Sequence, residues 1–220
     1  MSDSQDVAAA RRFYDRISAV YDGLADASEG ACRERALELL APDSGDRVLE
    51  LGFGTGHGLV GLARQVGPEG HVVGLDVSDG MAREARRRLQ EAGLADRVEL
   101  RVGAAPPLPF PDAGFAGALL SFTLELFPDA VLPVVLRELH RVLRPGGRLA
   151  VVAMATPAAG ARESALSHTY RWLHRHFPHI VDCEPIDAER LVSAGGFELK
   201  TQERLSIWTL PVAVVLGVRR

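Results

Sequence analysis

Lysine is nearly missing from this 220-residue chain: Lys200 is the only one among 25 basic residues, set against 29 acidic ones. A formal net charge of −4 leaves no global attraction to nucleic acid or to an anionic membrane surface. Cysteine is equally scarce. Cys32 and Cys183 stand far apart with no CxxC and no metal-ligand spacing, so reduced thiols in a cytoplasmic protein are the simplest reading. The longest apolar stretch, Leu205 to Val218, is broken by Pro211 and Gly217 and is too short to cross a bilayer. The opening segment, Met1 to Ala10, is polar and unlike a signal peptide, and no targeting segment is visible. Arg83, Arg86, Arg87 and Arg88 lie with Glu84 and Glu91 on one expected helix, where a solvated face accounts for them.

What the chain does have is apolar mass, 47% of its residues, enough for one well-cored domain over 1–220. Apolar runs alternate with amphipathic ones, a pattern that predicts an α/β fold with a mostly parallel sheet and helices on both faces. Strands are expected near 47–51, 71–76, 98–102, 115–120 and 148–154, and helices near 57–66, 79–92 and 130–143. Phe197 to Ser206 and Val212 to Val218 read as two further strands. Residues 41–154 then form the ligand-binding core. Residues 1–40 form an amino-terminal helical lid, 155–190 a cap insertion, and 191–220 a closing helix and strands. Lid and cap are rich in Tyr, Trp and His, and would sit over the carboxyl ends of the strands, where open sheets bind ligands.

The segment Val48-Leu49-Glu50-Leu51-Gly52-Phe53-Gly54-Thr55-Gly56-His57-Gly58 is a strand running into a glycine-rich turn and then a helix. Such a turn lets backbone N–H groups approach a ligand at a helix start. The next strand ends on Asp76, placed to take the two hydroxyls of a ribose. Turn and acid together point to a nucleoside-containing cofactor. The dinucleotide fingerprint would require glycine at position 57, which is His57, and an acid, Glu50, stands two residues before the first glycine.

Here the chain resembles the class I S-adenosylmethionine-dependent methyltransferases. Glu50-x-Gly52-x-Gly54-Thr55-Gly56 resembles their first motif and Asp76-Val77-Ser78-Asp79-Gly80-Met81 their second. Leu108-Pro109-Phe110-Pro111-Asp112 with Phe115 resembles the approach to their fourth strand, and Arg141 to Leu149, through Pro145-Gly146-Gly147, their turn before strand five. The resemblance implies a Rossmann-like seven-stranded mixed sheet, its last strand antiparallel, with helices on both faces and a small helical cap. It also implies S-adenosyl-L-methionine as cofactor. Gly52, Phe53, Gly54 and Gly56 would line its methionine portion, Glu50 would orient the loop or the amino group, Asp76 would hold the ribose, and Val77 and Met81 would flank the adenine. The family usually has Gly-Asp-Ala where this chain reads Gly103-Ala104-Ala105, so an acceptor for the adenine amine is lost and the Ala105 N–H is left to meet the ring. Ala116 replaces a second frequent Asp. Ser121 would border the reacting centre. The repeat Tyr14-Asp15 … Tyr21-Asp22 resembles the ubiquinone and menaquinone methyltransferase branch, which puts Tyr21 over the sulfonium, where its ring could attract the charge.

Methyl transfer is an in-line displacement that needs alignment, and a general base only where the acceptor must lose a proton. No motif fixes that base; Tyr21, Glu125, His168 and His176 are the candidates. Four histidines over 168–179 invite a metal, but no carboxylate or cysteine stands at ligand spacing among them, so no metal is expected. The chain is expected to act on a small-molecule methyl acceptor, of aromatic or quinone type in the resembling branch, with no nucleic acid and no integral membrane segment. A homodimer is left open. The alternatives are a non-methylating S-adenosylmethionine-binding protein, a phospholipid or natural-product N- or O-methyltransferase, and a nucleotide-dependent oxidoreductase on a similar sheet.

Overall fold

The computed structural model describes residues 29–156, 185–207 and 210–220. A first helix, α1 (residues 29–40), leads into β1 (Arg47–Leu51), α2 (His57–Gln65), β2 (His71–Asp76), α3 (Asp79–Glu91) and β3 (Val98–Val102). After a long loop come β4 (Phe115–Ser121), α4 (Leu132–Val142), β5 (Leu143–Met154), α5 (Ala188–Ala194), β6 (Phe197–Ile207) and β7 (Leu210–Arg219). The seven strands form one sheet in the order β3-β2-β1-β4-β5-β7-β6. β3, β2, β1, β4 and β5 run parallel, and β7 inserts antiparallel between β5 and β6, as the resemblance implied.

β4 and the carboxyl half of β5 are apolar throughout because both their faces are covered. One layer, built on α4 and α5, buries Leu136, Leu139, Val192 and Phe197 against the sheet; the other, built on α1, α2 and α3, buries Leu40, Leu62, Met81 and Leu89. α1 lies close because glycines make room. A Cβ at Gly61 would run into the Leu37 side chain, and one at Gly117 of β4 would lie 3.1 Å from Leu40 Cδ1. Arg35 of α1 also reaches β6, its guanidinium donating to both oxygens of Glu203 at 2.9 and 2.7 Å.

Strand positions follow the sequence expectation within a residue or two except at β5. That strand begins at Leu143 rather than 148, and Arg144-Pro145-Gly146-Gly147 forms an irregularity inside it: Phe115 pairs with Leu143, but Gly117 pairs with Arg148. Ala116 lies within this irregularity, buried and remote from the sheet's carboxyl edge. The turn expected before strand five is therefore an outlooped part of the strand, with Gly146 in the left-handed region at φ 76°.

The register aligns four chain segments. Leu51 pairs with Leu75, Glu50 with Leu119, and Asp76 with Val102. Gly52, Asp76, Gly103 and Ser121 consequently emerge near one level along the carboxyl edge. That edge is where an open parallel sheet can hold a ligand.

Candidate functional site

A cavity of about 600 Å³ opens along this edge, lined from the glycine turn, the ends of β2, β3 and β4, and the start of α4, with Glu29 and Arg33 of α1 on its rim. Its walls are mainly apolar, with a few polar groups set into them, the usual make-up of a small-molecule site.

The glycine turn is built around its missing side chains. Gly52, at φ 73°, abuts Thr123, whose side chain any Cβ there would strike. Thr123 in turn donates to Ser121 O at 3.0 Å, tying the turn to the end of β4. Gly54, at φ 51°, has open space where a Cβ would stand, so the backbone faces the cavity uncovered. Gly56 does not line the cavity; it caps α2 and packs against Ala85 of α3, 2.9 Å from a Cβ at that position. Phe53 touches the cavity, yet its ring lies in the core over Gly74, where a Cβ would meet Phe53 Cδ1 at 2.7 Å. Arg88, one of the arginines read as a solvated face, donates to Thr55 O and pins this turn from α3. Arg87 does sit on that face, bridging Glu84 and Glu91.

Asp76 is held by two backbone donors. Its Oδ2 accepts the Gly54 N–H and its Oδ1 the Ser78 N–H, both at 2.9 Å. Ser78 also caps α3 through Met81 N–H at 3.0 Å, which sets Val77 on the cavity wall and buries Met81 in the core with one side on the cavity.

Glu50 is the most constrained polar group. It is buried at 2% exposure, its Oε1 lies where a Cβ on residue 58 would fall, and Oε2 has no hydrogen-bond partner among the described residues. Burial pushes its carboxyl up to about 8, opposed by the guanidinium of Arg33 and reinforced by Asp76. A buried carboxyl oxygen without a partner at a cavity wall calls for one from a ligand. Arg33 was not singled out by the sequence, because a lone arginine in an amphipathic helix reads as surface until the packing of α1 is known.

Ala104 and Ala105 line the far end, Ala104 exposed and Ala105 half-buried, followed by Pro106. Ser121 lines the near wall. Phe122 beside it is buried at φ 51°, a conformation rare for a bulky residue and the kind of local strain that gathers at ligand sites. Glu125 is 4% exposed but does not line the cavity: its Oε1 accepts the Met154 N–H at 2.9 Å and so ties the end of β5 to the segment after β4. Burial raises its carboxyl to about 7, while that hydrogen bond pulls it down. Tyr21, His168 and His176 lie outside the described residues. Among the described residues no three His, Cys, Asp or Glu side chains gather as metal ligands.

Comparison with known proteins agrees with this geometry. Residues 48–147, which carry the glycine turn, Asp76 and the 103–106 loop, match the family described as methyltransferase domain. That match covers 100 of the chain's 220 residues. The chain's sequence relatives include proteins named as methyltransferases of demethylmenaquinone and of 2-phytyl-1,4-naphtoquinone. It is 37% identical over 141 residues to the demethylmenaquinone methyltransferase of Listeria welshimeri, covering 64% of this chain and 58% of that protein. It is 39% identical over 148 residues to the 2-phytyl-1,4-naphtoquinone methyltransferase of Synechococcus elongatus, covering 66% of this chain and 63% of that one. The chain thus spans about three fifths of the length of these relatives. The methyltransferase fold itself is shared with a SAM-dependent methyltransferase from Aquifex aeolicus, at a TM-score of 0.68 and 19% identity over 94% of this chain and 98% of that one. No helix among the described residues is long and apolar enough to cross a membrane.

Proposed function

We propose that this protein transfers a methyl group from S-adenosylmethionine to a small molecule, with an aromatic, quinone-type ring as the first acceptor class to test. The observation that carries the reading is the pairing of Asp76, organised by the Gly54 and Ser78 N–H groups, with the buried, donor-seeking Glu50 across the same cavity. These groups suit the two polar ends of the cofactor. Asp76 would accept from the ribose hydroxyls. Glu50 would take the ammonium and Arg33 the carboxylate of the methionine portion, each as a charge-assisted contact. Gly54 leaves the space between them clear of a side chain, and Gly52 lines it with backbone. Val77 and Met81 would flank the base.

When bound, S-adenosylmethionine supplies a methyl group activated by a sulfonium. The protein's share is to hold the acceptor in line with that group and to exclude water, work done by the apolar walls at Phe122, Leu126 and Phe127. Glu125 serves the site by fixing the end of β5 through Met154. The quinone-type acceptor is supported by the names of the sequence relatives and by an apolar cavity sized for a flat ring beside the cofactor. The same reading keeps the protein in the cytoplasm, working without nucleic acid, in keeping with its net charge of −4.

Calorimetric titration with S-adenosylmethionine and S-adenosylhomocysteine, with NADH as control, tests the reading. Micromolar binding of the sulfur ligands and none of NADH is expected; binding of NADH alone would contradict it. Incubation with labelled S-adenosylmethionine and naphthoquinols then reads transfer to carbon.

A further inference from the structure

We infer that the base subsite of this cavity does not recognise the exocyclic amine of adenine and is open beyond it, so that it accepts purine cofactors carrying hydrogen or a bulky apolar group at the 6-position. The inference deepens the S-adenosylmethionine reading and rests on it.

The direction of the base follows from the sheet. The glycine turn follows β1, Asp76 ends β2, and the 103–106 segment follows β3 next to it. With the methionine portion at the turn and the ribose on Asp76, the base extends toward residues 103–106. Gly103 is anchored at that level by its N–H to Asp76 O at 2.8 Å.

What waits there is apolar. The loop after β3 crosses to the opposite layer, where the Leu108 N–H donates to Glu138 of α4 at 2.8 Å. This crossing puts Ala105 on the same packed cluster as Phe127 and Val131. The cavity continues between them, lined by Ala104, Pro106, Val131 and Val134. Among the described residues no side chain of this lobe can accept a hydrogen bond, and Pro106 has no N–H to offer. The carboxyl nearest Val131 in sequence, Asp129, is exposed and does not line the cavity, and Glu125 is buried behind the wall with one oxygen committed to Met154. Ala104 is exposed toward the opening, so no side chain closes the lobe at that position.

A site that hydrogen-bonds a substrate group rejects analogues lacking it, because its own polar atoms are then left unpaired. A lobe whose side chains carry no such atoms has little to lose. Removing the amine should therefore cost little here, and an apolar substituent in its place should find the lobe between Ala104 and Val134.

The experiment compares three ligands on the wild-type protein by calorimetry: S-adenosylhomocysteine, its 6-deamino analogue with purine for adenine, and its N6-benzyl analogue. All three dissociation constants are expected within fivefold of one another. Ala104→Asp, which returns an acceptor and narrows the lobe, should favour S-adenosylhomocysteine over both analogues by tenfold or more. Wild-type discrimination above fivefold against either analogue would overturn the inference and reveal a backbone contact to the amine or a closed lobe. An Ala104→Asp protein that folds and stays indifferent would overturn the placement of residue 104 at the base edge. Binding of none of the three overturns the cofactor reading itself, and this inference with it; selective binding of the adenine form overturns the inference alone.

Discussion

Asp76 shows how one side chain can order the backbone on two sides of a cavity. It ends β2, its oxygens take the Gly54 and Ser78 N–H groups, and the turn and the start of α3 are thereby set before any ligand arrives. Asp76→Ala should weaken S-adenosylhomocysteine binding by about 1–3 kcal/mol, since charge-assisted contacts to the ribose are lost. Unchanged affinity by calorimetry would remove Asp76 from the site. Glu50 yields a different signature. With its carboxyl pushed up to about 8 by burial, it holds a proton at neutral pH in the free protein. An incoming ammonium favours the ionised form, so binding should release a proton near pH 7. Titrations in buffers of different ionisation enthalpy would detect that release, and Glu50→Gln should abolish it. Equal release in wild type and variant would assign the proton elsewhere. Glu50 and Asp76 were legible in the sequence because the glycine spacing and the strand end locate them. Arg33 and Arg88 were not. Nothing in an arginine's neighbours tells whether its helix will turn it toward a cavity or toward water.

At the scale of elements, the segment Leu108 to Asp112 proves to be a strap. Arg141 of α4 donates to Leu108 O and Phe110 O at 3.0 and 2.8 Å and pairs with Asp112, while Glu138 takes the Leu108 N–H. The Arg141 guanidinium beside Glu138 holds that carboxyl down to about 2. Arg141→Ala should lower stability by about 1–2 kcal/mol in urea unfolding, because several partly exposed charge-assisted bonds go at once. An unchanged midpoint would show that the strap is held by Leu108 and Phe110 burial alone. The sequence marked this segment by family likeness without its cause, since the partners lie about thirty residues apart. The start of β5 escaped it for a related reason: Pro145-Gly146-Gly147 reads locally as a turn, and only pairing with β4 on either side, Leu143 with Phe115 and Arg148 with Gly117, carries the strand through it. β1, β2 and β4 were plain in the sequence because burial on both faces makes them continuous apolar runs.

Over the whole molecule, buried and surface carboxyls pull stability in opposite directions with pH. Glu50 and Glu125 keep their protons in the fold up to about 8 and about 7, against 4.5 for an ordinary glutamate. The stability they contribute is complete below 4.5 and is lost as pH rises through those folded values. Glu138, lowered to about 2, acts in reverse: its contribution is present above 4.5 and is lost as pH falls toward 2. The ligand-free protein should therefore be most stable in mildly acidic solution and weaken from about pH 5 to pH 8, with Glu50→Gln flattening that decline. A wild-type profile flat over that interval would mean that Glu50 is solvated. A ligand that pairs Glu50 would remove the penalty of ionising it, so cofactor binding should stabilise the fold most at the upper end of the range.

The measurement that bears most directly on the account is a crystal structure of the protein with S-adenosylhomocysteine. The ligand should lie along the carboxyl edge with its ribose hydroxyls on Asp76, its amino group at Glu50, and its base between Val77 and the 103–106 segment. A ligand seated elsewhere, or one whose ribose leaves Asp76 untouched, would contradict the assignment of this cavity as the cofactor site.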